Sequence, residues 1–126
     1  MPLKNYRVLD LSRIWAGPYC TKIFADMGAE IIKIEMAPYG VPSRAFPYRK
    51  HKRSAYYVQQ NRGKKSLCLN FKDQRSREIV HDLIRTSDVL IENFRPGTLA
   101  RPRPCFGFLP YHARMTKILR ESTSGA

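Results

Sequence analysis

The sequence predicts an α/β protein with a Rossmann-like parallel sheet built from tandem βαβ units. Two observations support this prediction. Short apolar, β-branched runs alternate with longer segments of helical period, and glycine or proline separates many of them. Beyond residue 100 this pattern stops, and three prolines with scattered aromatic residues follow. We therefore expect an α/β portion over residues 1–100 and an irregular tail over residues 101–126.

The first βαβ unit begins with an apolar run at residues 6–11, which predicts a strand. Pro18 suits the first turn of the next helix, and Gly28 ends that helix. The β-branched residues of 31–34 predict a second strand, and one connecting helix normally makes two strands parallel. The loop 12–17 is then expected at the carboxyl edge of the sheet, where such sheets bind ligands. The large apolar residues on one face of this helix are Tyr19, Ile23, Phe24 and Met27.

The second unit repeats the pattern. Residues 66–71 predict a strand, Asp73 can cap a helix that runs through Thr86, and residues 88–92 predict another strand. The residues expected to form the buried stripe of this helix are Ile79, Val80, Leu83 and Ile84. The sequence does not determine the order of the strands in the sheet.

The net charge of +13 is concentrated in one segment, because residues 44–65 carry eight basic and no acidic side chains. Aromatic residues are interleaved with them. Three interpretations remain open. The segment is a solvated loop, it steers a single polyanionic cofactor toward the sheet edge, or it binds nucleic acid through phosphate contacts and base stacking. The third would make this chain a small basic nucleic-acid-binding protein.

Other classes of protein are disfavoured. The three cysteines, Cys20, Cys68 and Cys105, are far apart and lack C-x-x-C spacing, which predicts reduced thiols and no metal site. No apolar run approaches the roughly 20 residues that cross a bilayer, and no signal peptide precedes the first strand. We expect a soluble cytoplasmic protein, with mitochondrion and peroxisome as alternatives. The first loop has only Gly17 and no G-x-G-x-x-G, which argues against a nicotinamide or flavin site.

Four ordered motifs resemble a known family. They are V-L-D-L-S-R-I-W-A-G-P at 8–18, A-D-M-G-A-E-I-I-K-I-E at 25–35, N-R-G-K-K-S-L-C-L-N at 61–70 and D-V-L-I-E-N-F-R-P-G at 88–97. Together they resemble the N-terminal portion of the class III CoA-transferases (CaiB/BaiF family), over about residues 3–101. The resemblance implies a Rossmann-like sheet that is incomplete relative to that family.

The resemblance also implies a ligand, coenzyme A, and a set of contacting positions. These positions are Ile14, Trp15 and Ala16 near the pantetheine, Leu69 and Lys72 near the adenine and phosphates, and Asn93, Phe94 and Arg101 around the nucleotide. Phe94 would pack on a planar group. The alternative for Trp15 and Phe94 is that they fill the core, as large apolar residues commonly do. Many family members have an arginine where this chain has Met36, and Arg44 or Lys50 could replace that phosphate contact.

Family members transfer CoA between an acyl-CoA and a carboxylic acid through an enzyme aspartate that forms covalent intermediates. In the family this aspartate follows the matched region, so no catalytic residue is predicted here. We expect a CoA-binding fragment, inactive alone, that cannot form the family's interlocked homodimer and has marginal stability. Residues 101–126 are interpreted as a frameshifted or misspliced tail, with an authentic divergent ending as the alternative.

Overall fold

The computed structural model describes residues 1–94. In chain order the elements are β1 (Arg7–Asp10), α1 (Ala16–Asp26), β2 (Glu30–Met36), a 3-10 turn (Pro42–Ala45), β3 (Arg49–Lys50), β4 (Arg53–Ser54), α2 (Ala55–Asn61), β5 (Lys65–Leu69), α3 (Gln74–Arg85) and β6 (Val89–Ile91). The expectations for Arg101, for Cys105 and for the tail lie outside the described residues. No helix in residues 1–94 has the length and hydropathy needed to cross a membrane.

The main sheet has four parallel strands in the order β5-β2-β1-β6. Val8 of β1 pairs with Ile31 of β2 on one side and with Val89 of β6 on the other. This is the order in which Rossmann folds arrange their first four strands, and the order reverses between β1 and β6. The α/β fold with a parallel sheet predicted from the sequence is confirmed, and the strand order is new information.

Two apolar clusters pack against the sheet. The buried members of the first are Leu9, Leu11, Ile34, Leu69, Phe71, Val80 and Leu90. Those of the second are Val8, Ala29, Ile31 and Ile91. Neighbouring residues of one strand therefore enter different clusters, as Val8 and Leu9 do, because side chains alternate between the faces of a strand. Burial on both faces explains why apolar residues stand next to each other at Val8 and Leu9 of β1 and at Leu90 and Ile91 of β6.

Helix α1 packs through its smallest residues. Gly17, Pro18 and Thr21 are its buried residues. Of its large apolar residues, Phe24 packs against the second cluster, whereas Tyr19, Ile23 and Met27 are 38–45% exposed. A Cβ atom on Gly17 would lie 2.1 Å from the Ser12 Cβ, so only glycine allows this close approach. The helix ends at Asp26, and Gly28, which was predicted to stop it, follows two residues later with a φ of +98°.

Helix α3 follows its predicted pattern with one exception. Asp73 caps it, accepting a hydrogen bond from the Arg75 N–H at 3.1 Å. Val80 is fully buried, and both Leu83 and Ile84 pack against the first cluster. The prediction was wrong for Ile79, which is 40% exposed because the residue before Val80 lies about 100° around the helix from the face that meets the sheet.

The basic segment 44–65 is not one continuous loop. It contains the end of the 3-10 turn, the antiparallel hairpin of β3 and β4, and helix α2. Ser54 caps α2, accepting a hydrogen bond from the Tyr57 N–H at 3.3 Å. Two of its basic residues, Arg44 and Lys64, form ion pairs with buried carboxylates. The remaining charge is displayed mainly around the hairpin.

Candidate functional site

The sequence-predicted site residues within residues 1–94 follow three strands of the main sheet. Residues 14–16 follow β1, residues 69–72 end and follow β5, and residues 93–94 follow β6. In parallel strands these positions share the carboxyl edge of the sheet. The β1 and β6 loops are neighbours at the point where the strand order reverses, which is the usual ligand crevice of such sheets. The β5 loop is three strand spacings from β6, about 14 Å away, so a ligand that touches all three must be elongated.

Asn93 joins the β6 loop to the β1 loop. Its side-chain Oδ1 accepts a hydrogen bond from the Arg13 N–H at 2.7 Å, and its Nδ2 donates to the Arg13 carbonyl at 2.7 Å. One side chain therefore satisfies both backbone groups of a residue 80 positions earlier in the chain. This fixes the two loops relative to each other at the crevice.

A small pocket opens beside this junction. Its empty space, counted with the solvent it opens to, is about 280 Å³, and its lining residues are Leu11, Arg13, Ile34, Met36, Gly40, Val41, Phe71 and Phe94. The Arg13 guanidinium lies 4.7 Å from the centre of the half-buried Phe94 ring. Met36, which stands where many members of the resembled family have an arginine, belongs to this apolar lining. This pocket is an open hollow beside the Phe94 ring, so a ligand group would contact it from the surface.

The β1 loop presents two apolar side chains to solvent. Ile14 has a φ of +64° and is 42% exposed, and Trp15 is 59% exposed, so Trp15 does not fill the core. The Tyr56 hydroxyl donates to the Ile14 carbonyl at 2.8 Å, and the Trp15 and Tyr56 rings lie 5.8 Å apart. Ala16 is exposed and begins α1. Helix α2 thus holds the loop in a conformation that displays Trp15.

The two predicted residues near β5 have different environments. The Leu69 side chain is 8% exposed and belongs to the apolar core, while its carbonyl accepts a hydrogen bond from the Ala37 N–H at 2.9 Å. Lys72 is exposed, and its N–H donates to the Asn70 side chain at 3.2 Å. Leu69 has no charge to offer a ligand, whereas the ammonium group of Lys72 is accessible from solvent.

A buried ionic network lies beneath the β1 loop. The fully buried Asp10 carboxylate accepts hydrogen bonds from Ser12, from Thr21 at 2.6 Å and from Lys64 at 3.1 Å. Lys33 Nζ lies 3.4 Å from the same carboxylate and donates to the Ser12 carbonyl at 2.9 Å. Burial opposes ionisation of Asp10, but the two lysines and the hydrogen bonds from Ser12 and Thr21 together outweigh it and lower the pKa of Asp10. Burial lowers the pKa of Lys64 to about 8, despite the attraction of Asp10.

A second buried carboxylate, Glu35, holds the segment after β2. It accepts hydrogen bonds from Arg44 at 2.6 and 2.8 Å, from Tyr57 at 2.7 Å, from Ser66 at 2.8 Å and from the Val41 N–H at 3.2 Å. Burial opposes the charge of Glu35, yet these donors lower its pKa to about 2. Arg44 is thus paired with Glu35 inside the protein, and its replacement of the arginine absent at position 36 stays a prediction.

Sequence reasoning missed Arg13 and Tyr56 as members of the site. Arg13 lies inside the first motif, but nothing in its spacing indicates contact with Asn93 and Phe94. Cys20 and Cys68 are free thiols. Within residues 1–94, no group of three or more histidine, cysteine or acidic side chains has the geometry to hold a metal ion.

Comparison with known proteins identifies relatives. The family model described as CoA-transferase family III matches residues 3–103. A succinyl-CoA:glutarate CoA-transferase of Mus musculus is 42% identical over 100 residues, which are 79% of this chain and 23% of that protein. An acetyl-CoA:oxalate CoA-transferase of Acetobacter aceti is 41% identical over 100 residues, again 79% of this chain and 26% of that one.

Solved structures agree with these matches. A CaiB/BaiF family protein from Brucella suis superposes with a TM-score of 0.72 and 38% identity, covering 79% of this chain and 27% of that chain. The hypothetical protein Rv3272 of Mycobacterium tuberculosis gives a TM-score of 0.69 and 37% identity, with 78% and 27% coverage. The chain spans about a quarter of the length of the curated relatives it matches. By its motifs, its parallel sheet and these matches, the chain belongs to CoA-transferase family III.

Proposed function

We propose that residues 1–100 are the CoA-binding portion of a CoA-transferase. The observation that carries this proposal is the contact between Asn93 and Arg13, which joins the β1 and β6 loops beside the Phe94 pocket at the reversal of strand order. A planar adenine would pack on Phe94, while Lys72 and Arg101 would neutralise phosphates. The pantetheine would follow the loop that displays Trp15. An elongated ligand such as CoA suits a site spread over three loops.

The reaction of the parent protein is proposed from its relatives. Their names describe transfer of CoA from succinyl-CoA or acetyl-CoA to carboxylic acids such as glutarate and oxalate. We propose the same reaction class, with an aspartate outside this chain as the nucleophile. The two most buried carboxylates of residues 1–94, Asp10 and Glu35, are occupied by internal donors, which supports an external nucleophile.

Calorimetric titration of the full chain with CoA tests the proposal. Phe94→Leu keeps an apolar side chain in the pocket but removes the planar ring, and we expect CoA affinity to fall about tenfold. Tyr6→Leu is the matched control, since Tyr6 precedes β1 at the opposite edge of the sheet and is 51% exposed. The control should bind CoA with unchanged affinity.

Ligand fragments distinguish the two ends of the site. Lys72→Gln should weaken binding of CoA and of adenosine 3′,5′-bisphosphate, while leaving binding of pantetheine unchanged. Lys4→Gln removes an equal charge before β1 and should alter none of the three. Absence of CoA binding by the unaltered chain would contradict the proposal, as would equal losses in Lys72→Gln and Lys4→Gln.

We also propose that the tail, residues 101–126, adds nothing to the functional unit beyond the Arg101 side chain. The family match ends at residue 103, which supports a boundary near residue 100. Sequencing the encoding nucleic acid from the Glu92 codon onward tests this. A second reading frame that continues the helix and strand pattern toward a glycine-rich loop with an aspartate would support an aberrant tail. If no reading frame does so, the tail is authentic, and this part of the proposal is contradicted.

A further inference from the structure

The hairpin of β3 and β4 concentrates positive charge on a small surface. We define the basic hairpin as residues 48–53, which contain Arg49, Lys50, Lys52 and Arg53, all exposed. Arg49 donates to the Ala45 carbonyl at 2.7 Å. In the part of the chain that the structure describes, carboxylates pair with other basic residues and none pairs with Lys50, Lys52 or Arg53.

The backbone of the basic hairpin is strained where these residues stand. Lys50 pairs with Arg53, so His51 and Lys52 are the central residues of a two-residue turn. Their φ angles are +49° and +62°, in the left-handed region that such turns require and that asparagine and glycine adopt most easily. Tyr48 also has a positive φ, +61°. Histidine and lysine therefore occupy positions where Asn-Gly would make the hairpin more stable.

These two observations point to an external ligand. The positive charges of the basic hairpin repel one another and form no ion pair with the described residues. The strained turn residues also oppose folding. Neither the charge cluster nor the strained turn is therefore explained by a gain in stability. A polyanion would neutralise the charge. The ring of Tyr48 is 86% exposed beside it and offers a flat surface. The basic hairpin carries one large exposed aromatic ring and no aliphatic residue, which fits stacking on a base better than insertion into a lipid surface.

We propose that the basic hairpin binds single-stranded nucleic acid. Lys50, Lys52 and Arg53 contact successive phosphates, and Tyr48 stacks on an unpaired base. A duplex keeps its base faces covered and leaves the ring without a partner. This activity is separate from the CoA site and does not depend on it.

Fluorescence anisotropy with a labelled oligothymidylate tests the proposal, at salt concentrations from about 50 to 200 mM. The variant K50Q/K52Q/R53Q should bind about tenfold more weakly at the lowest salt. The slope of log affinity against log salt should become shallower by about 2, because each phosphate contact on a single strand contributes about 0.7. The control K4Q/R75Q/R85Q loses the same charge from other exposed positions and should retain the affinity and slope of the unaltered chain.

Two further variants separate binding from folding. H51N/K52G relieves the strained turn, so its thermal midpoint should rise by several degrees while its oligonucleotide affinity falls about threefold. A folding defect cannot produce this opposite pair of changes. Tyr48→Leu should lower the affinity at least about fivefold, because stacking on an aromatic ring is lost.

Several outcomes would overturn the proposal. Equal losses in the hairpin variant and its charge-matched control would mean that only the total charge matters. Single-strand recognition would be contradicted if the chain bound duplex DNA, or vesicles containing anionic lipid, as tightly as the oligothymidylate. The same loss of that binding in the hairpin variant would have to accompany it. Loss of CoA affinity together with oligonucleotide affinity in K52Q/R53Q, which keeps Lys50, would assign the hairpin to the CoA site. Unchanged CoA affinity in K52Q/R53Q is the expected result.

Discussion

Glu35 and Arg44 form a two-point ion pair across the segment that leaves β2. The Arg44 Nε lies 2.6 Å from one carboxylate oxygen and its Nη2 lies 2.8 Å from the other. The Glu35 side chain is 1% exposed, whereas that of Arg44 is 43% exposed. The Arg44 guanidinium also lies 4.0 Å from the centre of the Tyr57 ring. This pair anchors the 3-10 turn beside the Phe94 pocket.

Glu35→Gln should destabilise the chain at neutral pH. The pKa of Glu35 falls from 4.5 to about 2 on folding, so its charge stabilises the folded state above pH 4.5 by about 3 kcal/mol. This contribution is lost as pH falls from 4.5 toward 2. Urea unfolding at several pH values should show a gap between the unaltered chain and Glu35→Gln that narrows over this range. Glu78→Gln, at an exposed position of α3, is the control, and an equal effect there would contradict the prediction.

Lys64 should give a second rise of stability with pH, in alkali. Its folded pKa of about 8 lies below its ordinary 10.5, so between these values the unfolded chain binds a proton that the folded chain has released. The free energy of unfolding contributed by Lys64 therefore rises with pH, by up to about 3 kcal/mol. Lys64→Met should abolish this rise, measured by urea unfolding from pH 7.5 to 9.5.

The control for this prediction is Lys65→Met, because the neighbouring Lys65 side chain is 73% exposed. Measurement should stop below pH 10. Burial and a hydrogen bond to Glu35 raise the pKa of Tyr57 to about 12, so stability that depends on neutral Tyr57 is lost above pH 10. A flat profile for the unaltered chain between pH 8 and 9.5, identical to that of Lys64→Met, would contradict the prediction.

Asn93→Ala should free the β1 loop. Two hydrogen bonds to the Arg13 backbone are lost, and we expect the free energy of unfolding to fall by about 1–2 kcal/mol. Trp15 is the only tryptophan and follows in the same loop, so its fluorescence reports on this loop directly. Quenching of Trp15 by acrylamide should increase in Asn93→Ala but not in Asn5→Ala. Unchanged quenching would show that Asn93 does not restrain the loop.

The outer face of α1 should promote self-association. Tyr19, Ile23 and Met27 recur at intervals of four and are 38–45% exposed, forming an apolar strip along the helix. Ile23→Lys should lower the apparent mass measured by light scattering at high concentration, with little change in thermal midpoint. Ile79→Lys, at a residue of similar exposure on α3, is the control. A monomeric unaltered chain with a sharp, cooperative melt would contradict both this prediction and the marginal stability expected from the sequence.

Much of the fold could be predicted because local signals agree with the final structure. Pro18, Gly28 and Asp73 mark helix boundaries through their own backbone preferences and capping groups, which need no distant partner. The large apolar residues of α1 share a face, but their periodicity does not say how deeply each is buried. The close approach of Gly17 to Ser12 lies outside that pattern and brings the start of the helix against the β1 loop.

The sequence by itself determined the family, the α/β class and the approximate positions of the four main-sheet strands and of helices α1 and α3, because motifs and periodicity are local properties. Only the tertiary structure decided the strand order and brought Asn93 to Arg13 across 80 residues. It also decided which charges lie inside. Lys64 and Lys50 both belong to the same basic segment, yet one meets Asp10 in the interior and the other stands on an exposed hairpin. Long-range contacts depend on how the strands pair and pack, and no single stretch of sequence contains that information.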